Sequence, residues 1–163
     1  MSIERKKNGF TIVELLIVVV VIGVLAAIVI VAYNGITSQA HNTAVKSDLA
    51  NFAKKMELYR VNNGEYPSNS TELENADVKV TQDSYLIRNN FYYCRSDDGQ
   101  HFAVGVWALD STRYWLIDGA ITETTDNVYG SSTCDQLDPH AHPVNVNAFG
   151  YHNDSSTWQT WTE

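Results

Sequence analysis

The chain has 163 residues, a formal net charge of −8 and 44% hydrophobic residues, and the first 33 positions hold a disproportionate share of that apolar content. The acidic balance argues against a broad nucleic-acid surface, because phosphate contacts require clustered Lys and Arg. Two cysteines are too few for a zinc cluster and, at positions 94 and 134, too far apart for a CxxC redox motif.

In chain order, a short basic segment (Arg5, Lys6, Lys7) ends at Gly9 and is followed by FTIVELLIVVVVIGVLAAIVIVAY, Phe10 to Tyr33. These 24 residues contain one ionisable side chain, Glu14. The run is long enough to cross a bilayer as a helix, for which about 20 apolar residues suffice. A carboxylate in such a run costs roughly 2.5–3.5 kcal/mol on insertion scales, which makes Glu14 a candidate functional residue. The basic flank predicts a cytoplasmic start and an external remainder. A generic single-pass anchor accounts for the apolar run and its flank, but leaves the acid unexplained.

Lys6-Lys7-Asn8-Gly9 followed by Phe10-Thr11-Ile12-Val13-Glu14-Leu15-Leu16 resembles the class III signal of type IV prepilins and pseudopilins. The close match covers residues 5 to about 33. The resemblance implies cleavage between Gly9 and Phe10 by a membrane prepilin peptidase, N-methylation of Phe10, and delivery by a pilus assembly platform into a homo-oligomeric helical filament. It also implies that Glu14 is the assembly residue, its carboxylate neutralised by the Phe10 amine of a neighbouring subunit or of its own. A weaker likeness is carried by Asn63-Gly64-Glu65-Tyr66-Pro67, where many pilins and major pseudopilins have a similar turn. Family members usually have a proline late in the apolar run; Ala27 to Ala32 contains none.

Beyond Tyr33, apolar residues recur as Val45, Leu49, Phe52, Met56 and Tyr59, one face of a continuing helix. Asp48, Lys54, Lys55 and Arg60 are assigned to the rest of the cylinder. Gly64 stops the helix and Pro67 follows. The rod from Phe10 to about Asn62 would be about 80 Å long at 1.5 Å per residue, with Gly23 and Asn34-Gly35 as its weak points. Residues 68–83 are polar and predict a surface connection, with a short helical start at Ser70-Thr71-Glu72-Leu73.

The pattern then changes to short aromatic and β-branched runs: Tyr85-Leu86-Ile87, Asn90 to Cys94, Phe102 to Trp107, and Tyr114 to Ile117. Ser96-Asp97-Asp98-Gly99-Gln100 and Leu109 to Arg113 are hairpin signals. Three or four antiparallel strands are expected to cover the Val45–Tyr59 stripe. From Thr122 onward the chain is polar, and Ser155 to Trp161 fits either a last strand or a tail.

Cys94 and Cys134 read as one disulfide in an exported chain, with two buried thiols as the alternative; many pilins link the sheet to a C-terminal segment in this way. His140, His142 and His152 with Asp135 and Asp138 match no recognised ligand set, although major pseudopilins often hold calcium in a C-terminal loop. Asn69-Ser70-Thr71 and Asn153-Asp154-Ser155 fit N-x-S/T, and Trp158 and Trp161 would cap the sheet or contact a ligand. No GxSxG, phosphate-cradling Gly-Lys loop or HExxH occurs, and no enzyme activity, metal or cofactor is expected.

The expected architecture is α+β: a long N-terminal helix packed by its second half on a small antiparallel sheet. The expected divisions are a 1–9 leader, a 10–33 membrane and assembly half, a 34–62 outer half, and a 63–163 head. Removing the leader leaves 8 basic against 18 acidic groups, or −10. The expected function is a structural subunit of a type IV pilus, membrane-anchored as a precursor and extracellular when assembled, serving adhesion, motility or DNA uptake. A minor pilin or type II secretion pseudopilin is the alternative, and an exported domain with an ordinary signal peptide is a third reading.

Overall fold

The computed structural model describes residues 10–86 and 90–137, together with the backbone of three later strands, Val144–Phe149, Tyr151–His152 and Thr157–Trp158. The chain divides into two compact units between Thr37 and Ser38. Helix α1, Ile12–Asn63, contributes to both.

In the first unit α1 is helical throughout, across Gly23 and Gly35 and through the proline-free stretch Ala27–Ala32. Its large apolar side chains are all exposed, from 50% at Val18 and Val21 to 83% at Ile12.

In the second unit α1 buries Val45, Leu49, Phe52 and Met56, with Tyr59 packed at the margin. This is the expected stripe, and it recurs because residues three and four apart share a helix face. Asp48 departs from expectation: it is buried on the same face, only 8% exposed. Its carboxylate accepts bonds from the Thr81 N–H at 2.6 Å, the Thr81 hydroxyl at 3.2 Å and the Tyr85 hydroxyl at 3.0 Å. Burial first, and then the Asp48 charge, push the Tyr85 phenol well above 10. A buried carboxylate without such donors would be costly, so three donors are what permit this position. At the end of α1, Gly64 takes φ +89° and its N–H bonds the Arg60 carbonyl at 2.7 Å, the predicted stop.

The connection that follows is not a plain surface loop. Helix α2, Ser70–Asn75, is capped by Asn69, whose side chain accepts from the Glu72 N–H. Leu73, Ala76 and Val78 are buried in the same core as α1. Tyr85 makes only an isolated bridge with Ala108, in place of the expected strand, because the 3-10 turn Gln82–Ser84 precedes it; Ile87 lies outside the described residues.

The sheet runs in the order β4-β3-β2-β1-β5. Its strands are β1 Phe91–Arg95, β2 Phe102–Trp107, β3 Arg113–Ile117, β4 Ala120–Thr124 and β5 Val144–Phe149. All described pairings are antiparallel, and β6 (Tyr151–His152) and β7 (Thr157–Trp158) form a separate pair. The tail segment expected as either strand or coil thus holds a two-residue strand. The β1–β2 hairpin turns at Gly99, φ +67°, as the Asp-Gly signal requires. Asp118 and Gly119, both with positive φ, make the two-residue turn that adds β4, and the same Asp-Gly signal marks it in the sequence.

Alternation along the strands separates two faces. Phe91, Tyr93, Phe102, Val104, Val106, Tyr114 and Leu116 face α1, and the Phe52 ring lies 5.6 Å from Phe91 and 6.0 Å from Tyr93. On the other face, Tyr92 and Trp115 pack with Val128, while Cys94 and Ala103 pack with Cys134 and Leu137. The segment covering that face carries helix α3, Gly130–Cys134, and is joined to β1 by the Cys94–Cys134 disulfide, Cα–Cα 5.2 Å. Closing a loop of this length is worth roughly 4 kcal/mol on the chain-entropy model.

The cover lies so close to β2 that position 105 has no room for a side chain. A Cβ at Gly105 would fall 2.5 Å from the Trp115 ring and 2.7 Å from the Thr133 hydroxyl, and nearer still to Val128. Gly105→Ala is expected to lower stability by about 1–3 kcal/mol, the usual cost of overpacking, measured by urea unfolding against the parent protein.

His101 and Asp118 tie the β1–β2 loop to the β3–β4 turn at 2.7 Å. The Asp118 carboxylate raises the His101 pKa above its ordinary 6.5. A histidine whose folded pKa is raised stabilises fully below the unfolded value and loses that contribution as pH rises through the folded one. With both side chains at least 40% exposed, the effect is small. The melting temperature of His101→Asn should therefore trail the parent at pH 5.5 and coincide with it by pH 8.5.

Candidate assembly site

The candidate residues at the N-terminus lie at the start of α1. Gly9 is outside the described residues, and Phe10 is 81% exposed just before the helix. The Thr11 N–H and hydroxyl both donate to Glu14 Oε2, at 2.9 and 2.7 Å, and the Glu14 N–H bonds the Thr11 hydroxyl oxygen at 3.2 Å. This reciprocal pair is a capping box, in which two N-terminal N–H groups that no helical carbonyl can reach are satisfied by side chains. Thr11-x-x-Glu14 is the sequence signature of that box, a signal additional to the lone acid. The position also places negative charge at the positive end of the helix macrodipole. Glu14 therefore has a local partner in a single chain, and Phe10 adjoins the residue it binds.

From this start the apolar side chains run exposed along α1 to Ile36. A surface of this kind requires lipid or other apolar surface around it, since exposed patches of more than a few hundred Å² are otherwise rare.

Other candidates are distributed elsewhere. Cys94 and Cys134 are brought together as the bond described above. Asn69 is engaged as a helix cap. Asp135 follows α3 and is exposed, His152 lies in β6, and Trp158 lies in β7. Asp138, His140, His142, Asn153-Asp154-Ser155 and Trp161 fall outside the described residues. Among the described residues, no three His, Cys, Asp or Glu side chains are grouped to hold a metal ion.

A second set of side chains locks the Asn63–Pro67 turn onto the sheet. Arg95 is buried, donates to the Tyr66 carbonyl at 2.7 Å and pairs with Glu65 at 3.1 Å. The Tyr93 hydroxyl donates to the Pro67 carbonyl at 2.9 Å, and the Tyr66 hydroxyl to Glu57 at 3.0 Å. Burial, then Glu57, push the Tyr66 phenol up to about 12. The turn noted in the sequence is thus the join between α1 and the β1–β2 hairpin. Arg95, which organises it, carries no local signal.

Comparison with known proteins matches both parts of this description. The family model for the prokaryotic N-terminal methylation motif matches residues 5–30. That for type II secretion system (T2SS), protein G, matches residues 33–97, from the last turn of the apolar run into the β1–β2 loop. The type II secretion system core protein G of Pseudomonas aeruginosa is 37% identical over 78 residues, covering 48% of this chain and 55% of that protein. The type IV wide pilus major component PilA4 of Thermus thermophilus is 36% identical over 77 residues, covering 47% and 59%. The protein G of Dickeya chrysanthemi is 31% identical over 94 residues, covering 52% and 61%. The chain thus spans between half and two thirds of the length of these curated relatives. No solved structure matches the chain. In its methylation motif, its helix-to-sheet region and its α+β architecture the chain is thus similar to type IV pilins and pseudopilins, the matched part lying within residues 5–97.

Proposed function

We propose that this protein is a structural subunit of a type IV pilus, polymerising through the N-terminal part of α1 into an extracellular filament. The observation that carries the reading is an entirely exposed apolar helix whose lone acid is held at its first turn by Thr11. Cleavage after Gly9 would create an amine on Phe10, next to the residue Glu14 already binds. In low dielectric an ammonium and a carboxylate are each costly alone and much less so together. Pairing Glu14 of one subunit with the Phe10 amine of another would set axial register in a seam where Val and Leu contacts slide without preference.

In this reading the precursor sits in the cytoplasmic membrane, N-terminus inside and head outside. The prepilin peptidase processes it and the assembly platform extracts it. The Cys94–Cys134 bond and the doubly covered sheet keep the head folded outside the cell. A pseudopilus subunit of a type II secretion machine is the second reading, favoured by the protein G match over residues 33–97.

The mature protein is expected to begin at a methylated Phe10, read by intact mass and N-terminal sequencing; a start near residue 35 would point to an ordinary signal peptide. Glu14→Ala should be processed normally yet yield few or no sheared filaments. Normal filament yield from that variant removes Glu14 from the mechanism. Surface filaments at native expression favour the pilus, and loss of an exported enzyme on deletion favours the pseudopilus.

A further inference from the structure

Helix α1 differs along its length in what holds it helical. Over residues 12–36 its large apolar side chains are all exposed. Further on, Val45, Leu49, Phe52 and Met56 are buried in the core of the second unit. Between these parts lies a stretch with neither kind of support. Asn34, Gly35 and Ile36 are exposed, Thr37 and Ser38 are half-buried, and Gln39 and Ala40 are exposed again. The boundary between the two compact units falls inside it. Among the described residues, the first α1 side chains to bond the head are His41, 3.2 Å from the Ser84 hydroxyl, and Asn42, which donates to Asp110 at 2.7 Å.

The sequence gives this stretch little intrinsic support either. Tyr33-Asn34-Gly35-Ile36-Thr37-Ser38 contains no Ala, Leu, Glu, Lys, Gln, Arg or Met, the residues that favour a helix without help from packing. Residues 17–24 are no better by that measure, but hydrocarbon leaves their backbone no alternative to the helix, whereas water does. No packing contact explains the glycine: a Cβ at Gly35 would have nothing within 4 Å. The Thr37 hydroxyl donates to the Tyr33 carbonyl at 2.9 Å, the oxygen that the Thr37 N–H needs for its helical bond. Such back-bonding slightly destabilises and bends helices, and Thr43 repeats it on Gln39 at 2.8 Å. Most helical stability in proteins comes from the packing of one face, which residues 34–38 lack.

Resting on the reading of residues 10–36 as the half immersed in lipid or in neighbouring copies, we infer that α1 carries a built-in swivel at residues 34–38. There the helix opens locally while both flanks stay helical. Asn34 and Gly35 supply the freedom, and the Thr37 hydroxyl keeps the Tyr33 carbonyl bonded when the Thr37 N–H lets go. The swivel separates the two tasks of α1. Its first half can hold the register that Glu14 sets while the head turns to meet its own surroundings. A rod without the swivel would pass every adjustment of the head into the apolar seam.

The test is amide hydrogen exchange of the full-length chain in nanodiscs of phosphatidylethanolamine and phosphatidylglycerol. Amides of residues 35–41 are expected to exchange roughly a hundredfold faster than those of 24–32 and 49–56. Asn34→Ala with Gly35→Ala, which puts good helix formers into open space, should slow the junction roughly tenfold and leave both flanks as in the parent. Spin labels on Val29→Cys and Ser47→Cys, both exposed positions, span the same stretch, the native cysteines being joined to each other. An uninterrupted helix holds these positions ~27 Å apart. The parent should give a broad distance distribution, and the double-alanine variant a narrow one near that value. A junction as protected as its flanks, a narrow distribution in the parent, or alanines without effect on either measurement overturns the swivel and leaves the membrane reading intact. Rapid exchange throughout residues 12–36 overturns the membrane reading, and the swivel, which needs a held first half, falls with it.

Discussion

The constraint that governs this protein is the apolar surface exposed along the N-terminal part of α1. Between Phe10 and Ile36 every large apolar side chain is at least half exposed, and from Ile12 the segment is helical, the form in which a single segment satisfies its backbone polar groups within hydrocarbon. Such a surface is compatible with a bilayer or with the same segment of other copies. Lipid does not discriminate against sliding or rotation of such a helix, whereas a charge within it does. Glu14 is for this reason the one position in the run with directional information, and the Thr11 box shows how a single chain holds that charge at the helix start.

The second unit answers the opposite problem, of covering a sheet on both faces with little chain. Helix α1 fills one face with Val45, Leu49, Phe52 and Met56, and the 128–137 segment fills the other. Each cover is fixed by a different chemistry. Asp48 binds α1 to the Thr81–Tyr85 segment through three hydrogen bonds, Arg95 locks the turn after α1 onto the β1–β2 hairpin, and the disulfide holds the outer cover. Such polar ties inside a core specify one arrangement, because any other leaves a buried charge unpaired. Gly105 is the steric counterpart, letting the outer cover approach the strand.

The protein G match ends at residue 97, within the β1–β2 loop. What it covers is α1 from Tyr33, the 64–86 connection and β1, the framework that sets the sheet on the helix. The rest of the sheet and the disulfide cover lie beyond it. In this chain the surface offered by the remaining strands is built on a framework that resembles protein G, while the hairpin tip at Asp97 stands at the edge of the matched region.

Much of this was legible in the residues themselves. The membrane-length run, its acid and its basic flank are local facts of composition. The 45–59 stripe, the Gly64 stop and the Asp98-Gly99 turn follow from periodicity and from the positive φ that glycine tolerates. Asp118-Gly119 and the Thr11-x-x-Glu14 box were equally local signals. What only the tertiary structure decided are relations between distant positions: that Asp48 faces inward, that Leu73 and Val78 leave the polar connection for the core, and that Arg95 is buried at the turn. A hydropathy pattern assigns a carboxylate to solvent, and only the donors of Thr81 and Tyr85, 33 and 37 residues away, make burial of Asp48 tolerable. Local energies write themselves along the chain; compensation between remote polar groups appears only when the chain has folded.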